Sequence, residues 1–244
     1  MKTYEKIYHY LQNQNDYISG ETLANEFELS RTAIWKAIKT LEEKGVQIDS
    51  VKKRGYKILS GDLLLPEIIS KDLKIAVSLN EKSQSTQSDA KNHLDEDKEA
   101  HLYLAPSQEQ AKGRFGRQFF ASKQGGIYMS LHLKPNVPFE EVKPYTLMVA
   151  SSVVKAISRL TGIETDIKWV NDIYCNGKKI AGILTEAFSS VETGLITDVI
   201  IGVGINFHIT DFPADISEKA GSLFSGQPSI TRNQLITEIW KLFF

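Results

Sequence analysis

The chain has 244 residues, 41% of them apolar and 24% charged, with a formal net charge of −1. That length holds one sizeable core plus a small second module, and the near-neutral balance excludes a globally basic nucleic-acid binder while leaving room for a local basic patch. A single cysteine, Cys175, excludes an internal disulfide, and no apolar run approaches membrane-spanning length or follows a basic start, so the sequence predicts a cytoplasmic protein with no membrane partner.

Residues 1–60 read as a separate module. Tyr4, Ile7, Tyr8 and Leu11 recur at helical spacing. Ser19 is placed to cap a second helix carrying Leu23, Ala24 and Phe27, and Ser30 a third whose buried stripe is Ile34, Ala37, Ile38 and Leu41. Gly45 stops that helix. Val46, Ile48 and Val51 then lead to Lys52-Lys53-Arg54-Gly55, and Tyr56-Lys57-Ile58 returns as a hairpin with a cationic tip. Three helices followed by a basic hairpin make a winged helix-turn-helix, whose third helix enters the major groove while the wing reaches the backbone. Residues 31–57 hold eight Lys or Arg against three acids, which favours DNA over protein contacts. The predicted DNA-facing residues are Arg31, Thr32, Trp35, Lys36 and Lys39 on the helix and Lys52, Lys53 and Arg54 on the wing.

Residues 61–66 read as a linker, with Pro66 at the first turn of a following helix, and residues 67–244 as a second domain of α/β (α+β) type. A strand is expected over 74–79, then a polar turn in which Thr86 caps a helix running through Leu94; Asp95 to Glu99 reads as a solvated loop. After a strand at His101–Ala105 comes Ser107 to Arg117, where Lys112, Arg114 and Arg117 interleave with Gly113 and Gly116. Such a loop can fold over an anion, although it lacks the spacing of a P-loop and by itself reads more readily as a flexible basic loop. A strand over Gly126–Lys134 is predicted to turn Ile127, Met129, Leu131 and Leu133 to one face, and a helix covers Leu147–Leu160.

Two strands are then expected, Ile167–Cys175 and Ile180–Ala187, joined by the Asn176-Gly177 turn. Lys168, Asn171, Asp172 and Lys179 interrupt them at points a plain hairpin does not need. An ammonium, a carboxylate and a carboxamide held together can grip a phosphorylated small molecule, and a hairpin with solvated charges fits the same residues. An apolar strand Leu195–Gly204 ends in Gly202-Val203-Gly204-Ile205-Asn206, where the glycines permit close approach of a ligand. The final helix, from Arg232, ends on Trp240, Phe243 and Phe244 with nothing after them to bury them, so an exposed apolar end is predicted.

With these pieces placed, the sequence resembles the biotin–protein ligases in their bifunctional form, which also represses biotin genes. Lys168-Trp169-Val170-Asn171-Asp172 is similar to the family's Lys-Trp-Pro-Asn-Asp signature, and Lys179 and Gly182-Ile183-Leu184-x-Glu186 follow in order. Gly113-Arg114-Phe115-Gly116-Arg117, then Gly126-x-Tyr128-x-Ser130, resemble the family's glycine–arginine loop and next strand, and Ser85-Thr86 and Gly202-x-Gly204-Ile205-Asn206 also match. The resemblance implies a winged helix, a catalytic domain like that of class II tRNA synthetases, and a C-terminal SH3-like barrel, which is expected to be missing from these 244 residues. It implies formation of biotinyl-5′-AMP from biotin and ATP, then transfer to a lysine of a carboxylase carrier domain, with Mg²⁺ escorting ATP through ligands the sequence does not name. It also implies operator DNA as a partner and a ligand-linked homodimer. Ser85, Thr86, Gln87, Gln108, Lys112, Gly113, Arg114 and Lys179 would bind biotin; Lys168, Asn171, Asn206 and Arg117 the nucleotide; Lys179, Asp172 and Arg114 would serve catalysis. The sequence departs from the family at Ala111-Lys112, where Gly-Arg is usual, and at Val170, where proline is usual. A non-catalytic regulator that senses biotin is the alternative. A lipoate ligase is disfavoured because Gly116-Arg117-Gln118-Phe119 stands where an arginine pair and triple glycine are expected.

Overall fold

Three short helices open the chain because its apolar residues recur at helical spacing and serines cap two of them. They are α1 (Thr3–Leu11), α2 (Gly20–Glu26) and α3 (Arg31–Glu43), followed by the antiparallel pair β1 (Gln47–Val51) and β2 (Gly55–Ser60). Ser19 Oγ accepts the Thr22 N–H at 2.9 Å and Ser30 Oγ the Ala33 N–H at 3.1 Å, each satisfying a donor the helix start leaves open. Ile7, Leu11, Leu23, Ile34, Ile38 and Leu41 are buried together. Gly55 has φ +111°, and a Cβ there would lie 2.0 Å from the Ile18 carbonyl oxygen, so the strand that leaves the wing tip requires glycine. The structure, a computed structural model, describes residues 1–244 and divides into two units, Met1–Leu65 and Pro66–Phe244.

The second unit is a seven-stranded mixed sheet of order β3-β4-β5-β9-β8-β7-β6. Its elements are α4 (Pro66–Leu73), β3 (Ala76–Leu79), α5 (Thr86–Lys91), β4 (His101–Ala105), β5 (Gly126–Leu133), α6 (Tyr145–Thr161), β6 (Asp166–Lys168), β7 (Asp172–Cys175), β8 (Lys178–Ser189), β9 (Ile196–Asn206) and α7 (Arg232–Phe243). Only β3 and β4 pair in parallel. Because side chains alternate across a strand, two cross-strand rows define the faces. The row Ser130, Gly202, Leu184 faces α5, whose Thr86 Oγ1 lies 2.9 Å from Ser130 Oγ. The row Met129, Val203, Ile183 faces α6 and α7: Thr146 Oγ1 donates to Thr185 Oγ1 at 2.8 Å, and the Trp240 indole N–H meets Met129 Sδ at 3.2 Å. Residues 126–132 of β5 are buried on both faces, rather than on the one face the alternation of Ile127 to Leu133 suggested.

Four sequence expectations are corrected here. Trp169–Asn171 is a turn between β6 and β7, so the expected two-stranded hairpin is a three-stranded meander; the Trp169-Val170 peptide is cis. The residue at the start of α5 in cap position is Ser85, without a side-chain capping bond, and the helix ends at Lys91 rather than Leu94. The expected solvated loop Asp95–Glu99 includes Asp97, which is buried and receives the Tyr103 hydroxyl at 2.8 Å, with His132 Nδ1 at 2.7 Å and His101 Nδ1 at 2.6 Å. His132 is fully buried, with Nε2 2.8 Å from Asp198 Oδ1, and Lys134 Nζ donates to the same oxygen at 2.6 Å. Burial alone would push the Asp97 and Asp198 carboxyls up; hydrogen bonds, from His132, Tyr103 and His101 on Asp97 and from Lys134, Thr197 and His132 on Asp198, outweigh it and hold both below the ordinary carboxylate value. Finally, Trp240 and Phe243 are not an exposed apolar end: Trp240 is 0% and Phe243 7% exposed, because α7 packs against α6 and α4. Only Phe244 stays largely exposed.

Candidate functional site

Small residues on two neighbouring strands leave a depression on the α5 face of the sheet. Gly182 on β8 and Gly202 and Gly204 on β9 sit in adjacent cross-strand rows, and the missing side chains open the pocket floor. A Cβ at Gly204 would come 2.5 Å from Phe119 Cζ, and one at Gly202 would come 2.6 Å from Gln87 Oε1. The glycines therefore let a ring and an amide lie directly on the strand.

The pocket wall comes from four segments: the start of α5 with Ser85, Thr86 and Gln87, the loop with Gln108, Lys112, Gly113, Arg114 and Phe119, the β6–β7 turn with Asn171, and β8 with Lys179 and Leu184. The basic loop is closed on itself rather than free. The Gly113 N–H donates to the Arg117 carbonyl at 2.8 Å, the Phe119 N–H to the Ala111 carbonyl at 3.0 Å, and Lys112 bridges Gln118. Arg114 Nη1 donates to Asn171 Oδ1 at 3.3 Å, and Asn171 Nδ2 donates to the Ile183 carbonyl at 3.1 Å. Lys179 Nζ ion-pairs with Asp172 Oδ1 at 2.7 Å, and both side chains are about a third exposed or less, at 34% and 26%. Lys112, Arg114 and Lys179 thus set three cations at one wall, an arrangement that offsets charge when two anions are brought together.

Nine residues predicted from sequence line this pocket: Ser85, Thr86, Gln87, Gln108, Lys112, Gly113, Arg114, Asn171 and Lys179. Asp172 stands behind Lys179. Three predicted nucleotide residues lie outside the lining. Arg117 is exposed, Lys168 is exposed with its ammonium 5.2 Å from the Tyr174 ring centre, and buried Asn206 donates to the Gly221 carbonyl at 2.9 Å. Phe119, Ser130 and Leu184 line the pocket without having been assigned a contact. For Ser130 the usable signal is a small polar residue in a largely apolar strand; Phe119 carries none.

In the first unit all eight predicted DNA-facing residues are exposed. Arg31 Nη2 donates to Glu21 Oε2 at 2.8 Å, and Lys39 pairs with Glu42 at 2.6 Å. Arg54 stacks 4.2 Å above the Tyr17 ring and lies 3.8 Å from Asp16, while the Tyr17 hydroxyl donates to Asp49 at 2.5 Å. The wing tip is therefore braced at one of its cations.

Such a fold and pocket define a winged-helix module with exposed cations, joined in one chain to a mixed-sheet domain whose pocket carries three cations at one wall. Comparison with known proteins is consistent with both halves. Residues 4–57 match a family described as an HTH domain, and residues 78–206 match the biotin/lipoate A/B protein ligase family. The bifunctional ligase/repressor BirA of Bacillus subtilis (strain 168) is 35% identical over 224 residues, covering 87% of this chain and 67% of that protein. BirA of Salmonella typhimurium is 26% identical over 235 residues, covering 93% and 72%. Among solved structures, the biotin protein ligase from Aquifex aeolicus in complex with biotin and ATP superposes with a TM-score of 0.58 at 27% identity, covering 69% of this chain and 68% of that one. The chain belongs to the biotin/lipoate A/B protein ligase family, on its biotin–protein ligase side.

Proposed function

We propose that this chain is an ATP-dependent biotin–protein ligase that also acts as a biotin-responsive transcriptional repressor. In the first half-reaction a carboxylate oxygen of biotin attacks the α-phosphorus of ATP, giving biotinyl-5′-AMP and pyrophosphate. In the second, the amine of a lysine on a carboxylase carrier domain attacks the acyl carbon and AMP leaves. The observation that carries this reading is the convergence of Lys112, Arg114 and Lys179 with the polar set Ser85, Thr86, Gln87 and Gln108 around one pocket.

Biotin is held by Ser85, Thr86, Gln87, Gln108, Lys112, Gly113 and Arg114. Lys179 offsets the charge of the two approaching anions, and Asp172 orients its ammonium through their 2.7 Å pair. Arg114 adds a second cation, tied to the hairpin turn through Asn171, which faces the nucleotide side. Arg117, Lys168 and Asn206 lie outside the pocket lining; a nucleotide role for Arg117 would require its loop to move, and Asn206 serves as a strut to Gly221. The loop that carries Lys112 and Arg114 shields the mixed anhydride from water. Mg²⁺ would come with ATP, held mainly by phosphate oxygens and water, and would offset phosphate charge beside Lys112, Arg114 and Lys179.

The winged helix reads operator DNA, with α3 in the major groove and the wing on the backbone. Ligand binding favours a two-fold dimer that places two such modules on paired half-sites, and it does so only by binding the dimer-competent state more tightly. The single cysteine and the lack of any helix long and apolar enough to cross a membrane fit a cytoplasmic setting. The test is incubation with biotin, MgATP and a carboxylase carrier domain, followed by mass spectrometry. A biotinyl adduct on one carrier lysine is expected. Biotin binding with no adenylate and no adduct would instead identify a non-catalytic sensor.

A further inference from the structure

Glu186, on β8 outside the pocket lining, is a residue to which neither the motif nor the reaction assigns work. It ends a chain of hydrogen bonds that runs through the pocket's polar wall. Gln87 Nε2 donates to Glu186 Oε2 at 2.8 Å and to the Ile200 carbonyl at 3.3 Å, and Gln87 Oε1 accepts from Ser130 Oγ at 2.9 Å. Thr86 Oγ1 lies 2.9 Å from Ser130 Oγ, and the Thr86 N–H donates to Gln108 Oε1 at 2.7 Å. Lys91 Nζ holds the other oxygen of Glu186 at 2.8 Å.

Glu186 fixes the direction of the protons along Gln87 and Ser130, and through them biases the Thr86 hydroxyl. An ionised carboxylate only accepts, so Gln87 must turn its NH₂ toward Glu186 and its oxygen toward Ser130. The opposite flip would set the amide oxygen against two acceptors, Glu186 and the Ile200 carbonyl. Ser130 has one hydroxyl proton and gives it to Gln87. The 2.9 Å contact between Thr86 and Ser130 needs a proton between the two oxygens, and the Thr86 proton supplies it in preference to Gln108 Oε1, which lies farther off at 3.3 Å. Thr86 Oγ1 therefore donates inward and keeps its remaining lone-pair direction for the pocket. Gln87, Ser130 and Thr86 are 8%, 0% and 3% exposed, so water cannot supply an alternative pattern cheaply.

We propose that Glu186 is a positioning residue that sets the hydrogen-bond polarity of the pocket, making Thr86 an acceptor that selects a ligand carrying ring N–H donors, such as the cyclic urea of biotin. The inference rests on the ligase reading for the identity of that ligand. Lys91 braces Glu186 from the solvent side without entering the relay.

The test is calorimetric binding of biotin and of a biotin analogue N-methylated on the urea, paired with biotin-dependent pyrophosphate exchange. Glu186→Gln presents an amide that can donate toward Gln87 and so lets the chain reverse. It is expected to weaken biotin binding by about 10- to 100-fold and to compress discrimination against the methylated analogue, with saturating exchange rate within a few-fold of parent. Lys91→Met, which leaves the carboxylate in place, is expected to change binding by less than about threefold. The double variant Gln87→Glu/Glu186→Gln restores a donor facing an acceptor-only group that still accepts from Ser130. It is expected to recover binding relative to Gln87→Glu, and this comparison carries the test if Glu186→Gln does not fold. Parent-like affinity and discrimination in Glu186→Gln would overturn the proposal, as would a fall in exchange rate with binding unchanged. A parent chain that bound no biotin would sink the ligase reading and this proposal together, whereas binding without exchange would sink only the former.

Discussion

Lys179→Ala tests the chemistry most locally. The ammonium reaches across Gly182, where a Cβ would lie 3.3 Å from both Lys179 Cε and Nζ, to pair with Asp172 at 2.7 Å. At 34% and 26% exposure the pair is partly solvated, and its loss is expected to cost the fold no more than about 1 kcal/mol. The effect on the first half-reaction is of a different order, because a positioned donor aimed at charge that develops in the transition state is worth about 100- to 1000-fold in rate. The expected outcome is thus a folded variant with a thermal midpoint near parent and biotin-dependent pyrophosphate exchange reduced by about two to three orders of magnitude. Lys179→Arg keeps the charge but spreads it over a wider fork, and is expected to fall between the two. Exchange at the parent rate in a folded Lys179→Ala protein would remove this lysine from the mechanism.

Three further expectations follow from the same geometry. Gly204→Ala places a methyl 2.5 Å from Phe119 Cζ; the displaced ring should cost about 1–3 kcal/mol in stability or ligand binding, and a variant unchanged in both would show that Phe119 does not need the bare strand. Asp97 and Asp198 are held below the ordinary carboxylate value, so their contribution is present above the unfolded value near ~4 and is lost as pH falls through the lower folded values; thermal midpoints should drop steeply below about pH 4, more so than in Asp198→Asn, and parallel profiles would contradict this. Lys53→Ala removes a cation from the wing tip and should weaken DNA binding about equally for all sequences, lowering the salt slope by roughly one unit, whereas an unchanged slope in binding titrations would place the wing away from phosphate.

Much of the first unit is legible because its signals are local. Ser19 and Ser30 lie beside the helices they cap, and Ile34, Ala37, Ile38 and Leu41 declare one helix face within eight residues. The pocket was legible wherever a motif fixed a segment, as at Ser85-Thr86, Lys112-Gly113-Arg114 and Lys179. What escaped depends on partners far apart in sequence. Thr86 meets Ser130 across 44 residues and Gln87 meets Glu186 across 99, separations at which no periodicity carries information. Asp97 looked solvated amid a charged run, and its burial depends on His132 and Tyr103 arriving from neighbouring strands. Trp240 looked stranded because its cover, including Met129, lies 111 residues earlier. The turn at Trp169–Asn171 has no glycine or proline to announce it, so one continuous strand was expected where the chain reverses.

The central claim is that the pocket activates biotin, and exchange of labelled pyrophosphate into ATP measures it most directly. Purified chain with MgATP and pyrophosphate is predicted to form labelled ATP only when biotin is added, and to stop doing so in Lys179→Ala. Exchange that ignored biotin, or saturable biotin binding with no exchange at any ATP concentration, would contradict the account.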